Sequence, residues 1–324
     1  MPANLPPQYL TAEKAFRAAK TSLEKIAALE EMLAIMPKHK GTDHLRAELR
    51  SRIAKLTQQA GKKAATQRAS MVIEKEGAAQ VAVVGVPNCG KSQLVSILTK
   101  ASPTVAEYPF TTHSVTPGMM PFENIKIQLL DTPPLAPNAI DFWLPHVLRR
   151  ADILLIMADL SHSPVKQVEE AIAELRKMKI GIGDTDAEEE GILSHQKALI
   201  VGNKLDLDSG QANYTALRNQ YGEEFPLMAI SALHGTGLED LKLRIFQVLD
   251  IIRVYTKAPG QKADMSDPII LARDSTLEDA AADVHKDFAR KLKFARIWGS
   301  GKHDGVQAKK DHVLQDGDII ELHL

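Results

Sequence analysis

The sequence predicts an α/β protein: a mainly parallel sheet around a glycine-bearing loop, with a helical region ahead of it and a small α+β unit behind. Three observations carry this. GVPNCGKS, residues 85–92, follows an apolar strand and opens a helix. Apolar runs alternate with helical patterns from residue 78 to about 252, the signature of crossover connections and parallel pairing. The first 77 residues show helical spacing, and strand, helix and strand signals follow one another from 253 to 324.

Composition narrows the class. The chain has 324 residues, 44% hydrophobic and 25% charged, as ordinary globular proteins are. Lys and Arg total 40 against 41 Asp and Glu, so net charge names no partner. Cys89 is the only cysteine, which excludes an internal disulfide and suits a reducing compartment. No apolar run approaches the roughly 18 residues of a membrane span. MPANLPPQYLTAEKAF lacks the basic start and apolar stretch of a signal peptide, so the expected location is the cytoplasm and no membrane partner is expected.

Taken in order, residues 1–77 form a helical region. In TSLEKIAALEEMLAIM, Thr21 and Glu24 have capping-box spacing, and Leu23, Ile26, Ala27, Met32 and Leu33 recur at helical intervals. Pro37 and Gly41 break the pattern. A second helix aligns Leu45, Leu49, Ile53 and Leu56, so an antiparallel hairpin is expected. Residues 38–68 hold nine Lys/Arg and two Asp/Glu, either a solvated face or a surface toward nucleic acid.

In the central region, 78–252, QVAVVGV, IKIQLLD, ADILLIMAD, KALIVGNK and PLMAISA read as buried strands. VKQVEEAIAELRKMK reads as one of the intervening helices. The acidic run at 184–191 reads as a solvated loop. In the last region, 253–324, DPIILARDS, FARIWG and DIIELHL read as strands and TLEDAAADVHKDFARKL as a helix. Residues 285–310 carry eight Lys/Arg and two Asp.

The chemistry begins at GVPNCGKS, which matches Gly-x-x-x-x-Gly-Lys-Ser in the strand-to-helix setting that gives the motif its meaning. Gly85 and Gly90 let the backbone wrap phosphates, and N–H groups with the helix N-terminus supply positive potential. Pro87, Asn88, Cys89 and Gln93 complete the phosphate-binding stretch. Lys91 is expected on the β/γ-phosphates and Ser92 on Mg²⁺. NKLD follows a later strand: Asp206 can accept from guanine N1–H and N2–H₂, Asn203 can contact N7 and fix the loop, and the stem of Lys204 can cover the base. Ser231, Ala232 and Leu233 end the next strand where a backbone contact to guanine O6 is expected. Together these indicate a guanine nucleotide, GTP or GDP, and disfavour ATP. DTPP ends a strand with Asp131, expected to hold Mg²⁺ through water. In YPFTT a threonine hydroxyl would complete Mg²⁺ coordination; Thr112 is the choice and Thr111 the alternative.

With these motifs in view, the chain resembles the Obg/DRG group of translation-factor-class GTPases, and most of all a compact, bacterial-type relative of the DRG branch. GVPNCGKS, EYPFTT, the acidic loop and NKLD carry the resemblance in the central region. MPKHKGTDHLRAELRSRIAKL resembles the helical segment ahead of the GTPase domain. VYTKAPGQ, DPIIL and ARIWGSGKHDGVQAKKDHVLQDGDIIELHL resemble a TGS domain, a β-grasp module. The resemblance implies a P-loop GTPase domain over 78–252, a TGS domain over 253–324, GTP hydrolysis, and association with the ribosome or structured RNA through the basic helices and the TGS domain. In relatives that use K⁺, an asparagine at the place of Asn88 helps coordinate the ion; loop shaping is the other reading of that residue.

Three departures qualify the resemblance. Pro134 stands where a glycine N–H usually meets the terminal phosphate, and proline has no N–H. Leu135 stands where many GTPases place a water-orienting glutamine, although an apolar residue is usual in this group. LAPNAIDFWLPHVLRR replaces the glycine-rich segment that normally follows. The expected function is therefore GTP hydrolysis by Lys91, Thr112 and Asp131 with an altered second switch loop. A nucleotide-gated RNA- or ribosome-binding module with negligible turnover is the alternative.

Overall fold

The computed structural model describes residues 7–18, 22–36, 43–59, 73–99, 115–136, 143–183, 191–301 and 304–323. Two compact units divide the chain, Met1–Val72 and Ile73–Leu324.

Among the described residues the first unit holds three helices, the expected pair preceded by one more: α1 (Pro7–Ala18), α2 (Ser22–Ile35) and α3 (Asp43–Gln59). Tyr9 and Ala12 of α1 join Leu29, Met32, Met36 and Leu49 in one core, which is why α1 is held. Ala27 lies on the exposed side, and Ala28 and Leu29 take the buried stripe instead. Thr21, half of the expected capping box, falls outside the described residues. Arg46 reaches back to the Met36 carbonyl at 2.7 Å and satisfies the end of α2, so this cation of the basic segment is structural. Arg52 pairs with Glu48 one turn away at 2.6 Å.

The second unit is built on two sheets. The larger has seven strands: β1 (Ala79–Gly85), β2 (Thr116–Phe122), β3 (Ile125–Asp131), β4 (Ile153–Asp159), β5 (Ile180–Ile182), β6 (Ser194–Asn203) and β7 (Leu227–Ala229). Its order is β2-β3-β1-β4-β6-β5, with β7 also on β6. Only β2 runs antiparallel, against β3. Helices α4 (Lys91–Thr99), α5 (Leu144–Arg150), α6 (Pro164–Lys177), α7 (Gly210–Tyr221) and α8 (Leu238–Leu249) are the connections. β1 and β4 are buried nearly throughout, as a sheet with helices on both faces requires. The chain passes from β1 to β3 on one side and to β4 on the other, so a crevice opens beyond the carboxyl end of β1.

β2 was not foreseen. Its sequence, TPGMMPF, reads as a loop because of Pro117, Gly118 and Pro121, yet an edge strand tolerates missing donors.

The smaller sheet has order β11-β10-β12-β8-β9, formed by β8 (Ile251–Thr256), β9 (Ile269–Ala272), β10 (Phe294–Trp298), β11 (Val306–Ala308) and β12 (Ile319–His323). β8 and β12 are parallel, and the other pairs antiparallel. Leu277, Ala280 and Ala281 of α9 (Leu277–Val284) pack on one face with Ile252, Val254, Ile297 and Ile320. Thr276 opens α9 with a capping box to Asp279. The single helix expected over 276–292 is two. His285 is extended, and its ring accepts the Asp287 N–H at 3.1 Å, so it caps α10 (Lys286–Lys291) instead of continuing α9.

Candidate functional site

The crevice beyond β1 gathers the predicted motifs. Residues 86–90 leave β1 as a tight loop and enter α4 at Lys91. Gly85 is required because a Cβ there would lie 2.4 Å from the Met157 carbonyl of β4. Gly90 has φ +96°, and a Cβ on it would lie 2.3 Å from the Asn203 amide nitrogen. Asn88 also adopts a left-handed conformation, φ 64°, which asparagine tolerates better than most residues, and its side chain is exposed. Pro87, Ser92 and Gln93 face solvent around it, while Cys89 is fully buried. Burial pushes the Cys89 thiol up, against the pull of the Lys91 charge.

Lys91 is buried, with Nζ 3.2 Å from the Gly85 carbonyl and 3.1 Å from that of Val86. These are neutral acceptors that a phosphate oxygen can replace.

Asn203 joins the phosphate loop to the base-recognition loops. Its amide nitrogen donates to the Cys89 carbonyl at 3.0 Å, and its amide oxygen accepts the Ala232 N–H at 3.0 Å. Both halves of the Asn203 amide are thus engaged within the protein. Two further bonds tie NKLD to the Ser231 segment: Leu205 N–H to the Ile230 carbonyl at 3.0 Å, and the Ser231 hydroxyl to Asp206 at 2.5 Å. That hydroxyl is the main reason the Asp206 carboxyl sits below the usual carboxylate range, which keeps it an acceptor for donors such as guanine N1–H and N2–H₂. Ala232 N–H and His234 N–H are both engaged, by the Asn203 amide oxygen and by the Ser231 hydroxyl. The Leu233 side chain itself is 68% exposed.

Sequence reasoning missed Asp159. It ends β4 directly beside Asn203 in the β4–β6 register and accepts from Lys204 Nζ at 2.5 Å. Burial by itself would raise this carboxyl, but Lys204 and Ser161 outweigh it and hold it below its usual range. Asp159 therefore anchors the lysine whose stem was expected over the base. An acidic residue closing the strand ADILLIMAD was the one available signal.

On the other side of β1, Asp131 ends β3. Its Oδ1 is buried with no hydrogen-bond partner. Burial pushes the carboxyl up, opposed by the Ser92 hydroxyl and the Lys91 charge. A bare carboxylate oxygen beside a serine hydroxyl fits a hard cation. Among the described residues no three His, Cys, Asp or Glu cluster to hold a metal. Thr112 and Thr111 lie outside the described residues, as does the acidic run through residue 190.

The loop after Asp131 is tied down. Thr132 Oγ1 donates to the Val83 carbonyl at 2.7 Å, and Leu135 N–H donates to the Gly85 carbonyl at 3.0 Å. Leu135 is buried at 2% exposure.

Comparison with known proteins agrees with this architecture. The family model described as "50S ribosome-binding GTPase" matches residues 80–187, and that of the TGS domain matches 252–324. A GTP-binding protein of Methanocaldococcus jannaschii is 30% identical, over 92% of this chain and 92% of its own length. Developmentally-regulated GTP-binding protein 1 of Xenopus laevis is 29% identical, over 93% of this chain and 98% of its own. The chain belongs to the DRG family of GTP-binding proteins. As a DRG-type protein it is a GTPase carrying a TGS domain, which accounts for the second sheet. The YchF GTPase of Schizosaccharomyces pombe shares the fold, with TM-score 0.53 and 13% identity over 77% of this chain and 99% of that one. Among the described residues of this DRG-type chain, no helix is long and apolar enough to cross a membrane.

Proposed function

We propose that this protein hydrolyses GTP to GDP and phosphate in the cytoplasm, with an altered second switch loop, and associates with the ribosome or structured RNA. The observation that carries the nucleotide reading is Asn203, one buried amide that spans the phosphate loop and the guanine-recognition turn. In this reading Lys91 leaves the Gly85 and Val86 carbonyls for the β/γ-phosphates. Asp206 and the Leu233 N–H read the base. Ser92, Asp131 through water, and Thr112 hold Mg²⁺, which when bound offsets phosphate charge. Asn88, exposed at the loop tip, is the proposed K⁺ ligand. No side chain of the set acts as a general base, so positioning and charge stabilisation carry the rate.

The second switch supports a modified device. Pro133 and Pro134 have no N–H, and the Leu135 N–H is held by Gly85, so positions 133–135 present the terminal phosphate with no free backbone donor. The same observation favours the second reading, a nucleotide-gated binding module with negligible turnover. The partner reading rests on exposed cations of the TGS domain, Arg290, Lys291, Arg296 and Lys309, and on the basic α3 segment. Single-turnover GTP hydrolysis with and without ribosomes separates the readings. Stimulation by ribosomes is expected; absence of turnover in both, with nucleotide-dependent co-sedimentation, would establish the binding module instead.

A further inference from the structure

The β2–β3 hairpin links two places. At one end Thr116 pairs with Asp131, and the pairing runs in register to Phe122 and Ile125 at the turn. Asp131 thus lies at one end of a single hairpin, ~20 Å from its turn at the rise of an antiparallel strand. β2 bonds only to β3 among the described strands, and Pro117 and Pro121 remove two of its donors.

The turn at the far end is gripped by the TGS domain. Arg253 of β8 contacts the Glu123 carboxylate and the Asn124 amide oxygen, the latter at 3.2 Å. The Asn124 amide nitrogen donates to the Tyr255 hydroxyl at 2.6 Å and to the Met265 carbonyl at 3.0 Å. Arg253 is itself pre-aimed. Asp316 takes its guanidinium through two bonds, at 3.0 and 2.7 Å, and its backbone N–H at 2.8 Å. Its guanidinium also lies over the Phe246 ring, 4.9 Å from the centroid, and Phe246 stacks on Phe122 at 5.0 Å. The Arg253 side chain is 12% exposed, so this is a packed joint rather than a loose surface pair.

We propose that Arg253 and Tyr255 are positioning residues for GTP turnover: by clamping the Glu123–Asn124 turn they set, through the β2–β3 register, the placement of Asp131. The TGS domain then reports on, and biases, the nucleotide state through this hairpin. The proposal rests on the GTP-site reading above. Because such coupling is reciprocal, a clamp that differs between GTP- and GDP-bound states must change their relative affinities when it is cut.

The test uses the full chain with Glu123→Ala and Asn124→Ala together, which removes the side-chain contacts of the turn and leaves the Arg253–Asp316 pair intact. GDP affinity should stay near the wild-type value. The GTP-over-GDP affinity ratio should move by about fivefold or more, the range of ordinary allosteric coupling, and kcat should change with it. Tyr255→Phe, which keeps the ring and loses only the acceptor for Asn124, should shift the same two quantities in the same direction by less. Combined with Asn124→Ala it should add nothing beyond the asparagine change alone. An affinity ratio and kcat both within about twofold of wild type in the double variant would overturn the proposal, since coupling below that is negligible. A wild-type chain that binds no guanine nucleotide would overturn the site reading beneath it, and GDP binding alone tells the two failures apart.

Discussion

Replacing Asn203 with alanine asks whether the two halves of the nucleotide site are braced by the protein itself before any nucleotide arrives. The amide is 1% exposed and makes two bonds of 3.0 Å, to the Cys89 carbonyl and from the Ala232 N–H. Alanine leaves both backbone groups without partners, and each buried unsatisfied group costs about 1–3 kcal/mol. Gly90 cannot fill the gap, because it has no side chain and its φ of +96° holds the loop where it is. Water can enter from the crevice and recover part of the loss. The expected destabilisation of the nucleotide-free protein is therefore about 2–4 kcal/mol. Urea unfolding without nucleotide measures it, and amide exchange at Ala232 locates it. GDP should then protect the variant less than the wild type, because stabilisation by a ligand falls with its affinity. A loss below about 0.5 kcal/mol, the range of an ordinary surface substitution, with unchanged exchange at Ala232, would refute the brace.

Two further outcomes follow. Pro134→Gly restores an N–H next to the position of the terminal phosphate; a hydrogen bond to a charged group contributes about 1.5–3 kcal/mol, so preference for GTP over GDP should rise roughly ten- to a hundredfold. Competition between GDP and a non-hydrolysable GTP analogue reads this, and an unchanged ratio would sink the account of the second switch. Asp159→Asn addresses pH. The Asp159 carboxyl is held below its ordinary 3.8, so its contribution is complete above that value and is lost as pH falls through the depressed one. Thermal unfolding followed from neutral to acid pH should show a shallower acid limb in the variant, and parallel limbs would argue against the Lys204–Asp159 anchor.

What the sequence made legible was local. A buried parallel strand must be apolar on both faces, so β1, β4 and β6 announce themselves as unbroken runs. A phosphate loop needs glycines where Met157 and Asn203 crowd the backbone, and GVPNCGKS carries them in the order the geometry demands. The illegible parts depend on what lies beside a residue in space. β2 is a strand because β3 offers it an edge, whatever Pro117 and Pro121 say about isolated propensity. α1 is held by a core completed by Leu29 and Leu49. Asp159 becomes a partner of Lys204 only through the pairing of Asp159 with Asn203. Arg253 meets Glu123, Phe246 and Asp316, two of them on other elements far along the chain, and nothing in IIRVYT foretells the meeting.

The same distinction bears on the altered switch. Read alone, Pro134 is the loss of one donor. In the fold, the carbonyl of Gly85 accepts from both Lys91 and the Leu135 N–H, so the lysine that must turn to the phosphates and the loop that follows Asp131 share one atom. A phosphate that draws Lys91 away leaves that carbonyl to Leu135 alone. In the proposed function, that shared carbonyl is the route by which the second switch would respond to the nucleotide through the phosphate loop, without a donor at position 134.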